Sequence, residues 1–239
     1  MVDNIENGAG HRSPGVFVDL LPDEAVDRRD AVGTEFSFYA AAKRLMDIVG
    51  ASLLLAFFLP ALLIIGWLVR QDGGPALFRH PRIGRDGRVF MCLKLRTMVV
   101  DAQQRLDALL ARDPVARIEW QRSQKLSDDP RVTRLGHFLR VTSFDELPQL
   151  INVLRGEMSL VGPRPITHQE IARYGALASD YLSCRPGITG LWQVSGRSGI
   201  DYGRRVQLDS EYARNVSLRL DLAILIRTVR VILTRDGAC

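Results

Sequence analysis

Two adjacent carboxylates, Asp145 and Glu146, precede Pro148 in a segment that otherwise favours helix. Because proline lacks an N–H group, it fits only the first turn of a helix, so we expect Asp145 at or very near the N-cap. A carboxylate at the positive end of a helix is held ionised and oriented, which suits a nucleophile or a Mg²⁺ ligand. A structural role is the alternative, since Asp is a favoured N-cap and Ser143 and Glu146 have the spacing of a capping box.

Downstream of this pair, Arg164 stands between Pro163 and Pro165. The flanking prolines restrict the backbone, so little conformational entropy is left to lose when the guanidinium binds a ligand. A guanidinium grips phosphate with two parallel hydrogen bonds. This pattern therefore favours a phosphate-binding arginine.

A second basic segment, rich in glycine, covers residues 185–197. Its glycines would allow the backbone to approach an anion closely, and its two arginines, Arg185 and Arg197, supply positive charge. Trp192 offers a ring on which a nucleobase could stack, although packing is the commoner role of a tryptophan. The segment is thus a second candidate for binding a phosphorylated ligand.

Residues 89–98 alternate in polarity, which predicts a β-strand. Lys94 and Arg96 are two positions apart, so they share one face of this strand. Two cations side by side suit an anionic ligand, and a half-solvated edge strand is the alternative interpretation.

The element that must position these residues is apolar. An uncharged run covers residues 48–69, and as a helix it measures roughly 33 Å, enough to cross a hydrocarbon core of about 30 Å. Pro60 at its middle predicts a kink, and basic residues flank both ends, whereas a plain span favours them on one side only. We predict a re-entrant helix over residues 46–70 that returns to its own face. A straight span and a buried soluble helix are the alternatives.

The composition fits one membrane-attached domain. The 239 residues carry a net charge of +5, which suits anionic lipid head groups or phosphorylated substrates. The cations are scattered among acids, and no nucleic-acid-binding signature occurs. Cys92, Cys184 and Cys239 lie far apart, which predicts reduced thiols in a cytoplasmic compartment and no zinc site. We expect a disordered tail over residues 1–35 and a single domain over residues 36–239.

Four blocks occur together in a specific order: residues 94–98, 142–153, 158–165 and 185–193. Through them the chain resembles the bacterial sugar transferase family, the small monotopic phosphoglycosyl transferases, from about residue 42 to its C-terminus. It looks most like the enzymes that begin exopolysaccharide repeat units. The resemblance implies an α+β fold, mostly helical with a small sheet, that is attached to the membrane by a Pro-kinked re-entrant helix.

The same resemblance implies a reaction. It is the transfer of a hexose-1-phosphate from a UDP-sugar to undecaprenyl phosphate, with release of UMP and with Mg²⁺, as the initiating step of exopolysaccharide repeat-unit assembly. Glucose and galactose are the leading sugars, and the cytoplasmic face of the inner (plasma) membrane is the expected location. A non-catalytic membrane-bound adaptor of the polysaccharide assembly machinery is the alternative, and the intact Asp145 and Glu146 count against it.

The resemblance also implies roles for individual residues. Asp145 would be the nucleophile that carries the phosphosugar, and Glu146 would be its catalytic neighbour, for Mg²⁺ binding or proton handling. Asp145 and Glu146 are the predicted metal ligands. Lys94, the third predicted catalytic residue, would neutralise the diphosphate together with Arg140 and Arg164. Asp209 falls where the family has another functional carboxylate. Together with the patterns above, the predicted substrate-binding residues are Arg96, Arg140, Arg164, Arg185, Trp192, Gln193 and Asp209.

Overall fold

The computed structural model describes residues 32–123, 126–196 and 200–234. Its helices, in chain order, are α1 (Val32–Val69), α2 (Ala102–Arg112), α3 (Pro114–Ser123), α4 (Arg134–Thr142), α5 (Gln149–Leu154), α6 (His168–Ile171), α7 (Ala178–Ser183), α8 (Leu191–Val194), α9 (Tyr202–Arg214) and α10 (Leu218–Thr234). Its strands are β1 (Leu77–Ile83), β2 (Val89–Leu95), β3 (Ser159–Val161) and β4 (Gly187–Thr189). The fold is therefore mostly helical with a small amount of sheet, as expected. Residues 1–31 of the predicted tail, Arg197 and Cys239 lie outside the described part.

Helix α1 carries the apolar segment. It begins at Val32 and remains helical on both sides of Pro60. Within the described residues, Phe38–Asp72 is long and apolar enough to cross a membrane, and only 6% of its most apolar window is buried. A core helix of a soluble protein would be mostly buried, because exposed apolar surface of this extent needs an apolar environment. The kink at Pro60 and the re-entrant path stay predictions.

The N-terminal part of α1 is bonded to the rest of the domain. Lys43 forms an ion pair of 2.8 Å with Asp221, a fully buried carboxylate on α10, and donates a hydrogen bond to the carbonyl of Val161. The next residue, Arg44, donates hydrogen bonds to two carbonyls at the end of α5. The start of the apolar segment is thereby fixed to two helices that follow it in the chain.

The other end of α1 is held by Arg96. Its guanidinium bonds the carboxylate of Asp72 through both terminal nitrogens and donates to the carbonyls of Val69, Pro75 and Met98. These bonds use all five of its N–H donors. Arg96 therefore has no donor left for a substrate, contrary to the sequence-based expectation.

The strand predicted over residues 89–98 is β2, which ends at Leu95 and pairs antiparallel with β1. The predicted alternation is incomplete because side chains are buried on both faces, with Leu95 packed against α1 and α4. Arg96 lies beyond the end of the strand. It therefore does not share a ligand-facing surface with Lys94, and that prediction is wrong.

The main hydrophobic core lies between the second strand pair and the C-terminal helices. Strands β3 and β4 pair in parallel, and helices α5, α8, α9 and α10 pack around them. Its fully buried members include Val153, Met158, Val161, Leu191 and Ile224. This core joins the helix that follows Asp145 to the strand that precedes Arg164, so packing fixes the relative positions of the two motifs.

Candidate active site

Asp145 lies in a tight turn between two helices. Helix α4 ends at Thr142, Ser143 adopts the left-handed conformation with φ 59°, and Phe144–Glu146 form a 3₁₀ turn. Residues other than glycine rarely adopt that conformation, which costs of order 1 kcal/mol. The strain therefore falls directly before the carboxylate pair, and strained residues concentrate at functional sites.

The predicted N-cap at Asp145 is wrong. Helix α5 begins at Gln149, and its N-cap residue is Pro148, whose φ of −60° already suits the helix. Ser143 makes no side-chain capping bond, so the predicted capping box with Glu146 is not formed either. Within the described part of the chain, the carboxylate of Asp145 makes no side-chain hydrogen bond. Asp145 therefore neither caps a helix nor bonds another side chain by a hydrogen bond, which leaves its carboxylate for chemistry.

Lys94 on β2 reaches both carboxylates. Its Nζ lies 2.5 Å from an oxygen of Glu146 and 3.9 Å from an oxygen of Asp145. Asp145 is only 9% exposed. Burial, reinforced by the charge of Glu146, raises the pKa of Asp145 to about 6, against the lowering effect of Lys94 and Arg140. The carboxylate is ionised at neutral pH yet poorly solvated, which suits a nucleophile.

Arg140 is positioned by the packing of α4. Thr133 caps this helix by accepting a hydrogen bond of 2.8 Å from the backbone of Gly136. A Cβ atom at Gly136 would lie 1.9 Å from the carbonyl oxygen of Thr97, so only glycine allows this contact. The contact brings Arg140 Nε to 3.0 Å from Thr97 Oγ1. Among the described residues this is the single hydrogen bond of the guanidinium, which keeps donors for a ligand.

The hairpin face that presents Lys94 also presents Arg82, a residue that the sequence patterns did not single out. The strand register puts Arg82, Cys92 and Lys94 on one face. Burial raises the pKa of the Cys92 thiol to about 11, against the positive charges of Lys94, Arg82 and Arg164, which lower it. Arg79 and Arg82 are three positions apart in β1, so alternation in the sequence does not tell which of them faces the site.

A second group of predicted residues surrounds Trp192. The guanidinium carbon of Arg164 lies 5.7 Å from the centroid of its ring. Arg205, another residue that no sequence pattern indicated, lies over the same ring at 4.3 Å. Trp192 is 8% exposed and packs into the main core, while Gln193 donates to the carbonyl of Ile188. Arg164 and Arg205 already lie over the ring of Trp192, where a nucleobase would stack. Stacking of a nucleobase on Trp192 stays a prediction.

Asp209 belongs to this second group. It is 1% exposed on α9 and accepts a hydrogen bond of 2.8 Å from the hydroxyl of Tyr174. Burial raises the pKa of Asp209 to about 7, against the Tyr174 hydrogen bond and the positive charges of Arg205 and Arg164, which lower it. The predicted additional carboxylate therefore lies beside the phosphate-binding candidate Arg164.

We expect the parent protein to lose stability relative to Asp209→Asn as the pH rises from about 4 to about 7. The pKa of Asp209 is about 7 when folded and about 3.9 when unfolded, so the folded state binds an extra proton in this range. The stability from this group is complete below pH 4 and is lost as pH rises through 7. Asparagine keeps an acceptor for Tyr174 and does not ionise.

The measurement is the free energy of unfolding of parent and variant in detergent, from denaturant titrations at several pH values between about 4.5 and 8. Comparing the two proteins removes the contribution of all other titrating groups. A difference that stays constant over this range would contradict the prediction.

Arg185 lies apart from both groups. Its Nε donates to the carbonyl of Gly156 at 2.8 Å. It lines a separate cavity of about 340 Å³ together with Arg85, Arg88 and Arg155. The structure therefore does not bring Arg185 together with Asp145 or Arg164, although the sequence predicts a common substrate site.

The glycines after Arg185 serve packing between backbones. A Cβ atom at Gly187 would lie 2.1 Å from the amide nitrogen of Gly162, and one at Gly190 would lie 2.1 Å from its carbonyl oxygen. These contacts allow β3 and β4 to pair closely next to Arg164. The sequence-based expectation that these glycines admit an anion is therefore replaced by a structural role.

The carboxylate pair suits Mg²⁺ only together with a substrate. Among the described residues, no cluster of three or more His, Cys, Asp or Glu side chains would hold a metal ion. Mg²⁺ commonly binds through one or two carboxylates plus phosphate oxygens and water. Asp145 and the more exposed Glu146 supply two adjacent carboxylates, which fit such a mixed donor set.

Comparison with known proteins identifies the family of this chain. The sequence matches the family described as bacterial sugar transferase over residues 38–235. An uncharacterized sugar transferase of Haemophilus influenzae is 57% identical over 196 residues, which cover 82% of this chain and 42% of the relative. The undecaprenyl-phosphate galactose phosphotransferase of Salmonella typhimurium is 52% identical over 196 residues, covering 82% of this chain and 41% of the relative.

A third relative has a similar length to this chain. The exopolysaccharide production protein ExoY of Rhizobium meliloti is 46% identical over 198 residues, covering 82% of this chain and 88% of the relative. The chain spans about two fifths of the length of the first two relatives. Because the match includes both groups of site residues and most of the described fold, the chain belongs to the bacterial sugar transferase family.

Proposed function

We propose that the protein transfers a hexose-1-phosphate from a UDP-sugar to undecaprenyl phosphate and releases UMP, as the initiating step of exopolysaccharide repeat-unit assembly. The observation that carries the proposal is the carboxylate of Asp145, which is buried, makes no side-chain hydrogen bond within the described residues and lies 3.9 Å from Lys94. The names of two relatives, an undecaprenyl-phosphate galactose phosphotransferase and an exopolysaccharide production protein, support the substrates and the process.

In the first step, a carboxylate oxygen of Asp145 attacks the phosphorus that bears the sugar. As this O–P bond forms, the bond from the same phosphorus to the bridging oxygen of UMP breaks, and UMP leaves with the electron pair. Lys94 and Arg140 reduce the repulsion between the carboxylate and the diphosphate. Both cations are close enough to Asp145 for their positive charges to lower its pKa. The product is a mixed anhydride of Asp145 and the sugar phosphate.

In the second step, a phosphate oxygen of undecaprenyl phosphate attacks this phosphorus. The bond to Asp145 breaks, the electron pair returns to the carboxylate, and the product is a lipid diphosphate sugar. Both nucleophiles are anions, so neither step requires a proton transfer. Glu146 positions Lys94 through their 2.5 Å ion pair. Bound Mg²⁺, held by Asp145 and Glu146, would neutralise further charge on the diphosphate.

We infer that α1 enters the bilayer and returns to the cytoplasmic face. The start of the apolar segment is bonded to the domain through Lys43 and Asp221, and its end through Asp72 and Arg96. A straight span would put these ends on opposite sides of a hydrocarbon core about 30 Å thick. One folded domain cannot bond both ends across that distance, which supports the re-entrant path.

The middle of α1 also lies at the catalytic turn. The ring of Phe58 is 5.9 Å from that of Phe144, the residue directly before Asp145. On α10, exposed Leu222, Ile226 and Val229 form an apolar stripe that we assign to the membrane surface. An active site at this boundary can reach a lipid acceptor whose hydrocarbon chain stays in the bilayer.

The topology can be tested with Ala41→Cys and Gln71→Cys, at two exposed positions that flank the apolar segment. We expect neither variant to react with an impermeant thiol reagent in intact spheroplasts and both to react after lysis. The control is the parent protein treated with the same reagent in intact spheroplasts. It should stay unlabelled, which would show that its native cysteines do not react. External labelling of one position would establish a straight span. Pro60→Ala should move some molecules toward that state, because the kink is lost.

The function can be tested by UMP release from membranes that contain the protein. We expect UMP to appear with undecaprenyl phosphate, Mg²⁺ and one or two members of a panel of UDP-hexoses, with UDP-galactose and UDP-glucose tested first. Membranes that contain Asp145→Asn are the matched control. A non-catalytic adaptor would release no UMP with any member of the panel above this control.

A further inference from the structure

The region around Trp192 contains an unusual concentration of unsatisfied polar atoms. Among the described residues, five buried side-chain atoms have no hydrogen-bond partner, and they are Trp192 Nε1, Gln193 Oε1, Tyr202 Oη, Arg205 Nε and Asp209 Oδ1. Each such atom costs free energy, and native proteins contain few of them. All five come from α8 and α9, and Arg205 contacts the rings of both Trp192 and Tyr202. Three of these atoms belong to side chains that contact one another, Trp192, Tyr202 and Arg205, and they mark a candidate polar site.

The charges in this region are unbalanced. In the described part of the chain, the guanidinium groups of Arg164 and Arg205 make no hydrogen bond or ion pair, although both lie over one indole ring. The neighbouring carboxylates have other partners: Glu170 accepts bonds from Thr167 and Arg82, and Asp209 accepts one from Tyr174. The charges of both arginines lower the pKa of Asp209, but within the described residues neither guanidinium forms an ion pair with it. Two like charges that lack a direct ion pair favour an anion between them.

The side chain of Arg205 is also held in place before any ligand binds. It lies 4.3 Å from the centroid of Trp192 and 5.5 Å from that of Tyr202. These contacts restrict its rotamers, so less conformational entropy is lost when it forms a hydrogen bond. Arg204, the preceding residue, faces solvent and pairs with Glu211.

We propose that Arg205, together with Arg164, binds the phosphate of the nucleotide that leaves as UMP. The two groups of site residues adjoin, because the backbone N–H of Ile83, next to Arg82 on β1, donates a hydrogen bond of 2.9 Å to the carbonyl of Ile166, two residues after Arg164. Arg82 also forms an ion pair of 3.3 Å with Glu170. A diphosphate can then place its sugar-bearing phosphorus at Asp145 and its other phosphate at the two arginines. The identity of the nucleotide rests on the proposed function, whereas the anion site rests on the unpaired guanidinium groups.

The test is thermal unfolding of the full chain in detergent, with and without UMP, uridine or pyrophosphate. We expect UMP and pyrophosphate to raise the Tm of the parent and uridine to leave it unchanged. Arg205→Met should retain or exceed the parental Tm without ligand, because it removes an unpaired buried donor next to a like charge. It should also weaken UMP binding by about tenfold or more, the loss of a charge-assisted hydrogen bond.

Arg204→Gln is the matched control and should bind UMP like the parent. Arg205→Lys, which keeps the charge without the planar fork, should bind UMP with an affinity between those of the parent and Arg205→Met. A lower Tm of ligand-free Arg205→Met with unchanged UMP affinity would show that Arg205 only packs against the rings. Equal stabilisation by uridine and UMP would overturn the assignment to phosphate.

Binding and turnover separate this inference from the proposed function. UMP binding that depends on Arg205, in a protein that releases no UMP from any UDP-hexose, would support the anion site and refute the transfer reaction. Phosphosugar transfer with the same KM and the same inhibition by UMP in parent and Arg205→Met would refute the anion site alone.

Discussion

Asp145→Asn is expected to abolish the covalent step while leaving the protein folded. With labelled UDP-sugar and Mg²⁺ but no lipid acceptor, the parent should release up to one equivalent of UMP and retain label on the protein, and undecaprenyl phosphate should discharge that label. Asparagine cannot supply the attacking carboxylate, so the variant should show no label and no burst of UMP. Quantified protein-bound label and UMP are the measurements.

The stability of this variant is a separate check. The pKa of Asp145 is about 6, above the usual value of about 3.9, so at pH 7 its ionised form destabilises the folded state. Asparagine carries no charge, and the carboxylate makes no side-chain hydrogen bond within the described residues, so we expect a Tm equal to or above that of the parent. Helix capping plays no part in the expected stability of the variant, because Pro148 and not Asp145 is the N-cap of α5.

Two results would overturn the role of Asp145. The first is label that persists in Asp145→Asn, and the second is UMP release that requires both substrates to be bound. The second result would indicate direct transfer in a ternary complex, with Asp145 as a metal ligand. Asp107→Asn, a change of an exposed carboxylate on α2, is the matched control and should label like the parent.

Lys94→Gln is expected to reduce the rate of the first step at pH 7 by about a hundredfold, or about 2.7 kcal/mol in activation free energy. Lys94 is the cation nearest to the two adjacent carboxylates, at 2.5 Å from Glu146 and 3.9 Å from Asp145. Without it, the attacking carboxylate and the diphosphate repel each other more strongly. The measurement is the single-turnover rate of UMP release.

The pH dependence of this rate gives a further test, because each variant should shift the pH–rate profile in a known direction. Lys94 lowers the pKa of Asp145 and Glu146 raises it. The acid limb of the pH–rate profile should therefore move to higher pH in Lys94→Gln and to lower pH in Glu146→Gln. Arg79→Gln, at an exposed position on the same hairpin, should leave the limb unchanged. Equal profiles in all four proteins would show that Asp145 does not control the rate.

The features that could be predicted from the sequence are those that depend only on residues close together in the chain. The uncharged run over residues 48–69 indicates an apolar helix by its length, and α1 contains it with most of its surface exposed. Arg164 is marked by its flanking prolines, and it lies beside Asp209 as an unpaired cation in the described structure. Asp145 and Glu146 are marked by their adjacency and by the family motif around them.

The N-cap prediction failed although its premise was correct. Pro148 does limit where α5 begins, but it serves as the N-cap itself, and a 3₁₀ turn separates it from α4. The left-handed Ser143 makes this turn possible. A non-glycine residue in that conformation depends on its surroundings for stability, so no local pattern in the sequence indicates it.

The sequence by itself determined the apolar segment, the carboxylate pair and the restrained Arg164, because each depends on residues close together in the chain. Only the tertiary structure decided which other cations face the site. Arg96 and Arg185 bond carbonyl groups elsewhere, whereas Arg82 and Arg205 face the site from β1 and α9. The direction of a side chain depends on the elements that pack against its own, and those contacts join residues far apart in the chain.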